Sequence, residues 1–536
     1  MNRKTLVLPA VVGLLAPVLA ACGGSGSGDG GGDPIVVGTT DRFTASKAAP
    51  APLDPAYAYD VGLWNILRQT VQTLMIMPKG DGDPIPEAAE RCRFTDSGNE
   101  RYACTLRAGL TFANGDPVTA ADVKYSIDRA RSIKADSGVA GLLSTIDTVE
   151  TQGDREVIFH LNTADATFPY KLSTPVAGIV NPKDYPKDKL RTGFQVDGSG
   201  PYTMKPEVEN NELVRAVFTK NPNYKGSLKL NNDKVEIRSF ADADAMGAAL
   251  DKGDIDLMTR TMTPEQIRKL SNAGDGPVDL VESPSLEIRY LAFNTDAPTV
   301  KSKAVRRAIA QLVNRNELVS KVYGTQAEPL YSLVPASITG HSNSFFNTYG
   351  DPSVTKAKAL LQSAGITTPV KLTLHYTTDH YGAAMQREFE VLKEQLDSSG
   401  LFDVSIQGTP WTEYRPAQQK GEYEVYGMGW FPDFPDADNF LAPFLDKDNF
   451  LNSPYSNDEI RDQLIPQSRR QANRLAASPS LTEIQDIVAE DVPVLPLWQG
   501  KQYVAARNTV TGTAYALNSS ATLQLWELGR GTGGSS

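Results

Sequence analysis

Histidine is scarce in this chain of 536 residues: there are four, His160, His341, His375 and His380. His375 and His380 flank Asp379, yet their spacing fits neither a helical HExxH pair nor a tetrahedral zinc site. His160 lies in an alternating stretch and reads as a structural or surface residue. No GxSxG elbow occurs, and Ser199 in "DGSGP" is accounted for by its turn. Asp116 and Asp122 could be taken for paired acids, but turn and cap roles explain them. No nucleophile, base and orienting group come together. A secreted hydrolase is therefore the lesser reading; the chain is expected to be no enzyme and to need no cofactor. Densely basic stretches are also missing, which argues against nucleic acid and against electrostatic docking on anionic lipid. Beyond residue 21 there is no long uncharged apolar run, so no later segment reads as a membrane-spanning helix.

Cysteine is nearly absent, with three residues in all. Arg3 and Lys4 precede an apolar run from Leu6 to Ala21, the layout of a signal peptide. The run closes on Leu19-Ala20-Ala21-Cys22, which resembles the bacterial lipobox, where the cysteine is diacylated and becomes the new N-terminus. An ordinary small-residue cleavage site is the alternative. Residues 1–21 are read as the signal peptide and residues 22–33 as a lipidated, Gly/Ser-rich flexible tether. Removal of the leader takes away two cations and no acid, moving the formal net charge from −11 to −13. That balance implies solubility and a mild preference for cationic or zwitterionic partners. Cys92 and Cys104 flank the turn-forming Asp96-Ser97-Gly98-Asn99. A hairpin folded about Gly98 sets them opposite each other, close enough for a disulfide in an oxidising compartment. Two free thiols are the alternative, and redox CxxC spacing is absent.

Roughly five hundred residues after the leader exceed one ordinary core, so two or more domains are expected. Strands and helices are mixed, with no internal repeat. Ile35–Thr40 is a short β-rich start. "LTFANGDPVTAADVKYSIDRARS" reads as strand, turn and a helix capped near Thr119, whose hydroxyl can accept first-turn amides. "EVIFHLN" alternates as a strand, and "VDGSGPYTM" is a tight turn into another. From Lys301 the pattern is α/β. "KAVRRAIAQLVNRNELVSKVY", "VTKAKALLQSAG" and "AAMQREFEVLKEQLDSSG" are helical, and "VKLTLHY", "FDVSIQG" and "YEVYGMGW" are strands. Such alternation indicates a twisted sheet covered by helices.

The stretch "GWFPDFPDADNF" (429–440) packs aromatics, prolines and aspartates into twelve positions. Pro432, Pro435 and the nearby Pro443 forbid a continuing helix and disfavour a central strand. A constrained loop is expected after the strand Tyr423–Met428. Asp433, Asp436 and Asp438 lack the spacing and distal glutamate of an EF-hand loop.

Six segments resemble, in order and spacing, the family 5 extracellular solute-binding proteins of ABC importers. They are "LRAGLTFANGDPVTAADVKYSIDRA", "GSGPY" (198–202), "YLAFNT" (290–295) with "VRRAIAQLVNRNELV" after it, "DPSVTKAKALLQSAG" (351–365), "GWFPDFPDADNF" and "VAEDVPVLPLW" (488–498). The resemblance covers about Ile35 to Leu528. It implies a two-lobed periplasmic-binding-protein-like α/β fold with an inserted subdomain and a two-strand hinge. Residues 34–58, 180–285 and 498–530 would form the first lobe, 59–179 the inserted subdomain and 286–497 the second lobe. Crossings near Glu287–Asn294 and Pro496–Tyr503 would be the hinge about which the lobes close on a ligand.

The resemblance further implies a monomer on the outer face of the bacterial cytoplasmic membrane, held by its lipid alone. There it would deliver a small peptide or related solute to a permease and ATPase complex. Oligosaccharides, opines and metal complexes are the family's other cargoes. The expected ligand-binding set is Asp433, Trp430, Phe431, His380, Tyr381, Tyr57 and Tyr59. Asp433 would pair with a ligand ammonium between the flat walls of Trp430 and Phe431. Asp436, Asp438 and Asn439 would lock the loop without touching ligand. The family's dipeptide binders hold the ligand carboxylate with an arginine after the second-lobe strand. "LHYTTDHYGAAMQR" offers His380 and Tyr381 there and no arginine before Arg387, which weakens a strict dipeptide reading.

Overall fold

In Val370–Thr377, Val370, Leu372, Leu374 and Tyr376 are buried and Lys371 is exposed, as a half-covered strand requires. This strand pairs in parallel with Phe402–Thr409, and the helix Met385–Ser398 crosses between them, burying Phe389, Leu392 and Leu396. The computed structural model describes residues 33–531 apart from positions 48, 81, 136, 275 and 448. The leader, Cys22 and nearly all of the tether lie outside the described residues. No helix among the described residues is long and apolar enough to cross a membrane.

The fold is the α/β class expected. Val425–Trp430, buried at every position, lies between Val370–Thr377 and the long strand Val278–Phe293. That strand runs antiparallel to the equally long Val494–Arg507. The same sheet continues through Leu257–Met258, Ile35–Thr39, Lys234–Ser239, Glu212–Lys220 and Tyr202–Glu209. Register between the two long strands shifts at Pro284–Ile288 and again at Arg289–Tyr290. On one side of these shifts lies a core built from residues between Leu286 and Trp498. On the other lies a core built chiefly from residues 35–257 and 504–528.

A separate antiparallel sheet comprises Ala89–Phe94, Arg101–Leu106, Glu156–Leu161 and Ile146–Gln152. Cys92 stands opposite Cys104 at a Cα separation of 4.1 Å, and the two are joined by a disulfide. The helix Ala120–Ile133 packs on this sheet. It carries Arg129, which forms a buried bidentate pair with Asp54 at 2.8 and 2.6 Å. Gly198 and Gly200 lie against the end of helix Val61–Thr70. A Cβ at Gly198 would stand 2.3 Å from the Thr70 carbonyl oxygen, so only glycine allows that approach.

Thr119 is the N-cap of helix Ala120–Ile133, as expected, in a capping box with Asp122, whose Oδ2 accepts the Thr119 amide at 2.8 Å and the Thr119 hydroxyl at 2.7 Å. Three local expectations are corrected. The stretch before the Asn-Gly turn forms only a bridge between Thr111 and Pro117. The helical segment from Lys303 divides into Lys303–Leu312 and Arg315–Val322, because Asn314 caps a new start by accepting from the Glu317 amide. Pro443 lies inside the helix Asp438–Leu445 rather than excluding one. The proline supplies no N–H for the carbonyl four residues back, that of Asn439. That carbonyl instead accepts Trp430 Nε1 at 2.8 Å.

Candidate ligand-binding cleft

Between the two cores lies a cavity of about 110 Å³. Tyr59, Trp64 and Arg68 reach it from in and just before helix Val61–Thr70. Arg260 follows the strand Leu257–Met258. His380 and Tyr381 come from the turn after Val370–Thr377, and Trp430 to Asp433 from the end of Val425–Trp430. Six of the seven residues expected to bind ligand line this one cavity. Tyr57 does not line it; its amide is taken up in the turn to Asp54 O at 2.9 Å.

The strand Val425–Trp430 runs two residues further than expected, so Trp430 is its last member, opposite Ile288. Its indole is buried against Phe444 and Phe450. Gly427 and Gly429 share one face of this strand. A Cβ on Gly429 would fall 2.0 Å from Arg289 Nη1, and one on Gly427 2.3 Å from Phe389. Glycine at 429 leaves the space that the Arg289 guanidinium occupies beside this strand. Arg289 is paired there with Glu287 and has Tyr381 4.3 Å and Trp498 5.1 Å from its guanidinium.

Asp433 is buried at 8% exposure. Its Oδ2 accepts Asn439 Nδ2 at 2.9 Å and the Tyr59 hydroxyl at 3.2 Å, while its amide donates to Asn439 Oδ1 at 2.8 Å. No described residue donates to Oδ1. Burial raises its pKa to about 6, against the pull of Asn439, Tyr59, Arg68 and Lys171. Arg68, whose pKa burial lowers to about 10 despite Asp433, donates to Ser173 O at 2.8 Å. Asp436 and Asp438 are occupied elsewhere: Arg474 grips the first at 2.7 and 2.9 Å, and Arg469 the second at 2.7 and 3.1 Å. Asn439, with Tyr59, fixes Asp433.

At the other end, His380 stacks on Trp411 with ring centroids 3.9 Å apart and an interplanar angle of 4°. Burial, Arg260 and Arg289 together lower its pKa to about 3, so it presents a neutral ring. His375 is separate, stacked on Tyr423. The Phe431 ring centroid is 4.6 Å from the Arg260 guanidinium and 5.8 Å from that of Arg289. Asp60 also lines the cavity, but it caps helix Val61–Thr70 through the Gly62 amide at 2.8 Å.

Arg68, Arg260, Trp411 and Phe450 were absent from the expected set. No local motif marks them, since Arg68 and Arg260 stand on other parts of the chain from the "WFPD" loop they face.

A mixed sheet threaded through two cores, with a polar-aromatic cavity between them, defines a periplasmic-binding-protein fold. Residues 83–452 match the bacterial extracellular solute-binding proteins, family 5 Middle, and the chain belongs to that family. It is similar to the oligopeptide-binding protein OppA of Bacillus subtilis (strain 168), 25% identical over 90% of this chain and 91% of OppA. It also resembles the probable D,D-dipeptide-binding periplasmic protein DdpA of Escherichia coli (strain K12), 26% identical over 89% of this chain and 92% of DdpA. Among solved structures, the Escherichia coli murein tripeptide binding protein MppA superposes with a TM-score of 0.78 at 21% identity, covering 93% of this chain and 98% of MppA. A dipeptide binding protein from Pseudoalteromonas sp. SM9913, in complex with Met-Leu, gives 0.79 at 18% identity, covering 93% and 100%. The chain is a substrate-binding protein and not an enzyme.

Proposed function

We propose that this chain is the capture component of an ABC importer, taking amine-bearing peptides from outside the cell and passing them to a permease and ATPase complex. The observation that carries this reading is Asp433. It is a buried carboxylate on a cavity wall, held through Oδ2 by Tyr59 and Asn439, with Oδ1 receiving no described donor. An ammonium group in the cavity offers this carboxylate a charge-assisted donor. The names of OppA, DdpA and MppA agree with peptide cargo.

Residues 34–58, 180–285 and 498–530 form the first lobe in this proposal, with 59–179 inserted in it, and 286–497 form the second. The two separate cores and the register shifts between the long strands support that division. Closure turns about those shifts. A monomer anchored through Cys22 to the outer face of the cytoplasmic membrane completes the reading.

The test is a thermal-shift screen of the purified protein against free peptides, N-acetylated peptides, sugars, opines and nickel complexes, since a ligand bound only by the native state raises its stability. A shift with free peptides that N-acetylation abolishes is expected. A shift with a neutral sugar alone, or equal shifts with free and acetylated peptides, would contradict it.

A further inference from the structure

We propose that Arg260 is a second anchor in the same cavity, for the carboxylate of a short zwitterionic ligand whose amine sits at Asp433. This makes the cargo a short peptide with both termini free. The proposal rests on the Asp433 reading and narrows it.

Arg260 lines the cavity with its guanidinium over Phe431. Among the described residues its guanidinium donates from Nε alone, to Asp41 Oδ1 at 3.2 Å. Nη1 is enclosed yet donates to no described residue. A buried donor on a permanent cation is expensive to leave unmatched, and a planar carboxylate is the acceptor that suits a guanidinium fork. Its charge is secure: burial opposes it, but Asp41, Asp60 and Glu287 outweigh burial and raise its pKa.

The neighbouring groups leave this task to Arg260. Arg289 is 4% exposed, is paired with Glu287 and is not among the residues that line the cavity. Arg68 donates to Ser173 O and faces Asp433. His380 is neutral and offers a stacking face rather than a charge. The Ser520 hydroxyl also lines the cavity and is enclosed without a described partner, giving a second donor for an anionic group. The arginine missing from the segment around His380 is thus replaced by one that follows the strand Leu257–Met258.

The experiment presents purified protein with equimolar pools of tripeptides in free, C-terminally amidated and N-acetylated form, and reads the retained species by mass spectrometry. The parent protein is expected to retain free acids over amides at least tenfold, and Arg260→Gln to erase that preference while still rejecting N-acetylated peptides. Arg260→Lys, which keeps the cation, is expected to bind more weakly and still favour the acid. Equal retention of acids and amides by the parent, no retention of any pool, an unchanged preference in Arg260→Gln, or an equal loss for both pools in Arg260→Lys would overturn the proposal. Retention of acetylated acids alongside rejection of amides would instead remove the Asp433 reading and leave the carboxylate anchor standing.

Discussion

Asp433→Asn keeps the shape of the side chain and removes its charge. Burial lifts the Asp433 pKa from 3.8 to about 6, so holding the anion in the ligand-free protein costs roughly 3 kcal/mol. An ammonium that matches the carboxylate offsets that cost. The variant is therefore expected to lose at least about tenfold, or ~1.4 kcal/mol, in affinity for amine-bearing peptides. Calorimetry at two pH values sharpens the test. At pH 7.5 the parent carboxylate is mostly ionised, whereas at pH 5 only about a tenth is. Parent affinity should fall about tenfold over that interval, and the variant's should stay flat.

Stability moves the other way. The folded-state pKa lies above the unfolded one, so the stabilising contribution of Asp433 is present in full below pH 3.8. It is lost as the pH rises to about 6. The variant escapes that loss, and its ligand-free melting temperature at pH 7.5 should be no lower than the parent's. Equal peptide affinity in parent and variant, or a parent affinity indifferent to pH between 7.5 and 5, would refute the reasoning.

Reduction of Cys92–Cys104, or replacement of both by Ser, closes no loop in the unfolded chain; for a separation of 12 residues the loss is about 3 kcal/mol in the chain-entropy model. Denaturant titration should show that loss with peptide binding retained, and two free thiols in the exported protein would contradict it. Phe434 is 1% exposed and stacks on Tyr170 at 5.7 Å in a small cluster with Met77, apart from both main cores. Phe434→Ala should open the lobes, seen as a larger radius of gyration by solution scattering and weaker peptide binding; unchanged scattering and affinity would exclude a closing contact there. Cys22→Ser should release the protein into the medium or leave an unprocessed precursor, and unchanged membrane retention would refute lipid anchoring.

Features set by near neighbours were legible in the sequence. The alternation in Val370–Thr377, the hairpin that opposes Cys92 and Cys104, and the helix-strand order after Lys301 all follow from periodicity and turn chemistry. The "WFPD" loop announced itself through its composition. Its partners did not. Composition marks Asn439 only as a lock for the loop, whereas in the fold it also holds the Asp433 carboxylate together with Tyr59. Arg260 reaches Phe431 from 171 residues away in the chain, and Arg68 comes from further still. Such meetings are created by sheet order, which no local window contains. Pro443 misled for a related reason. Proline is excluded from helices when a carbonyl is left unmatched, and here Trp430, on another element, supplies the donor.

The most direct measurement is a crystal structure of the purified protein with a peptide captured from the free-acid pool. The account predicts a ligand amine within about 3 Å of Asp433 Oδ1, in a cavity closed between the two cores. A bound ligand with no cationic group near Asp433, whose carboxylate keeps only Tyr59 and Asn439 as partners, would contradict it.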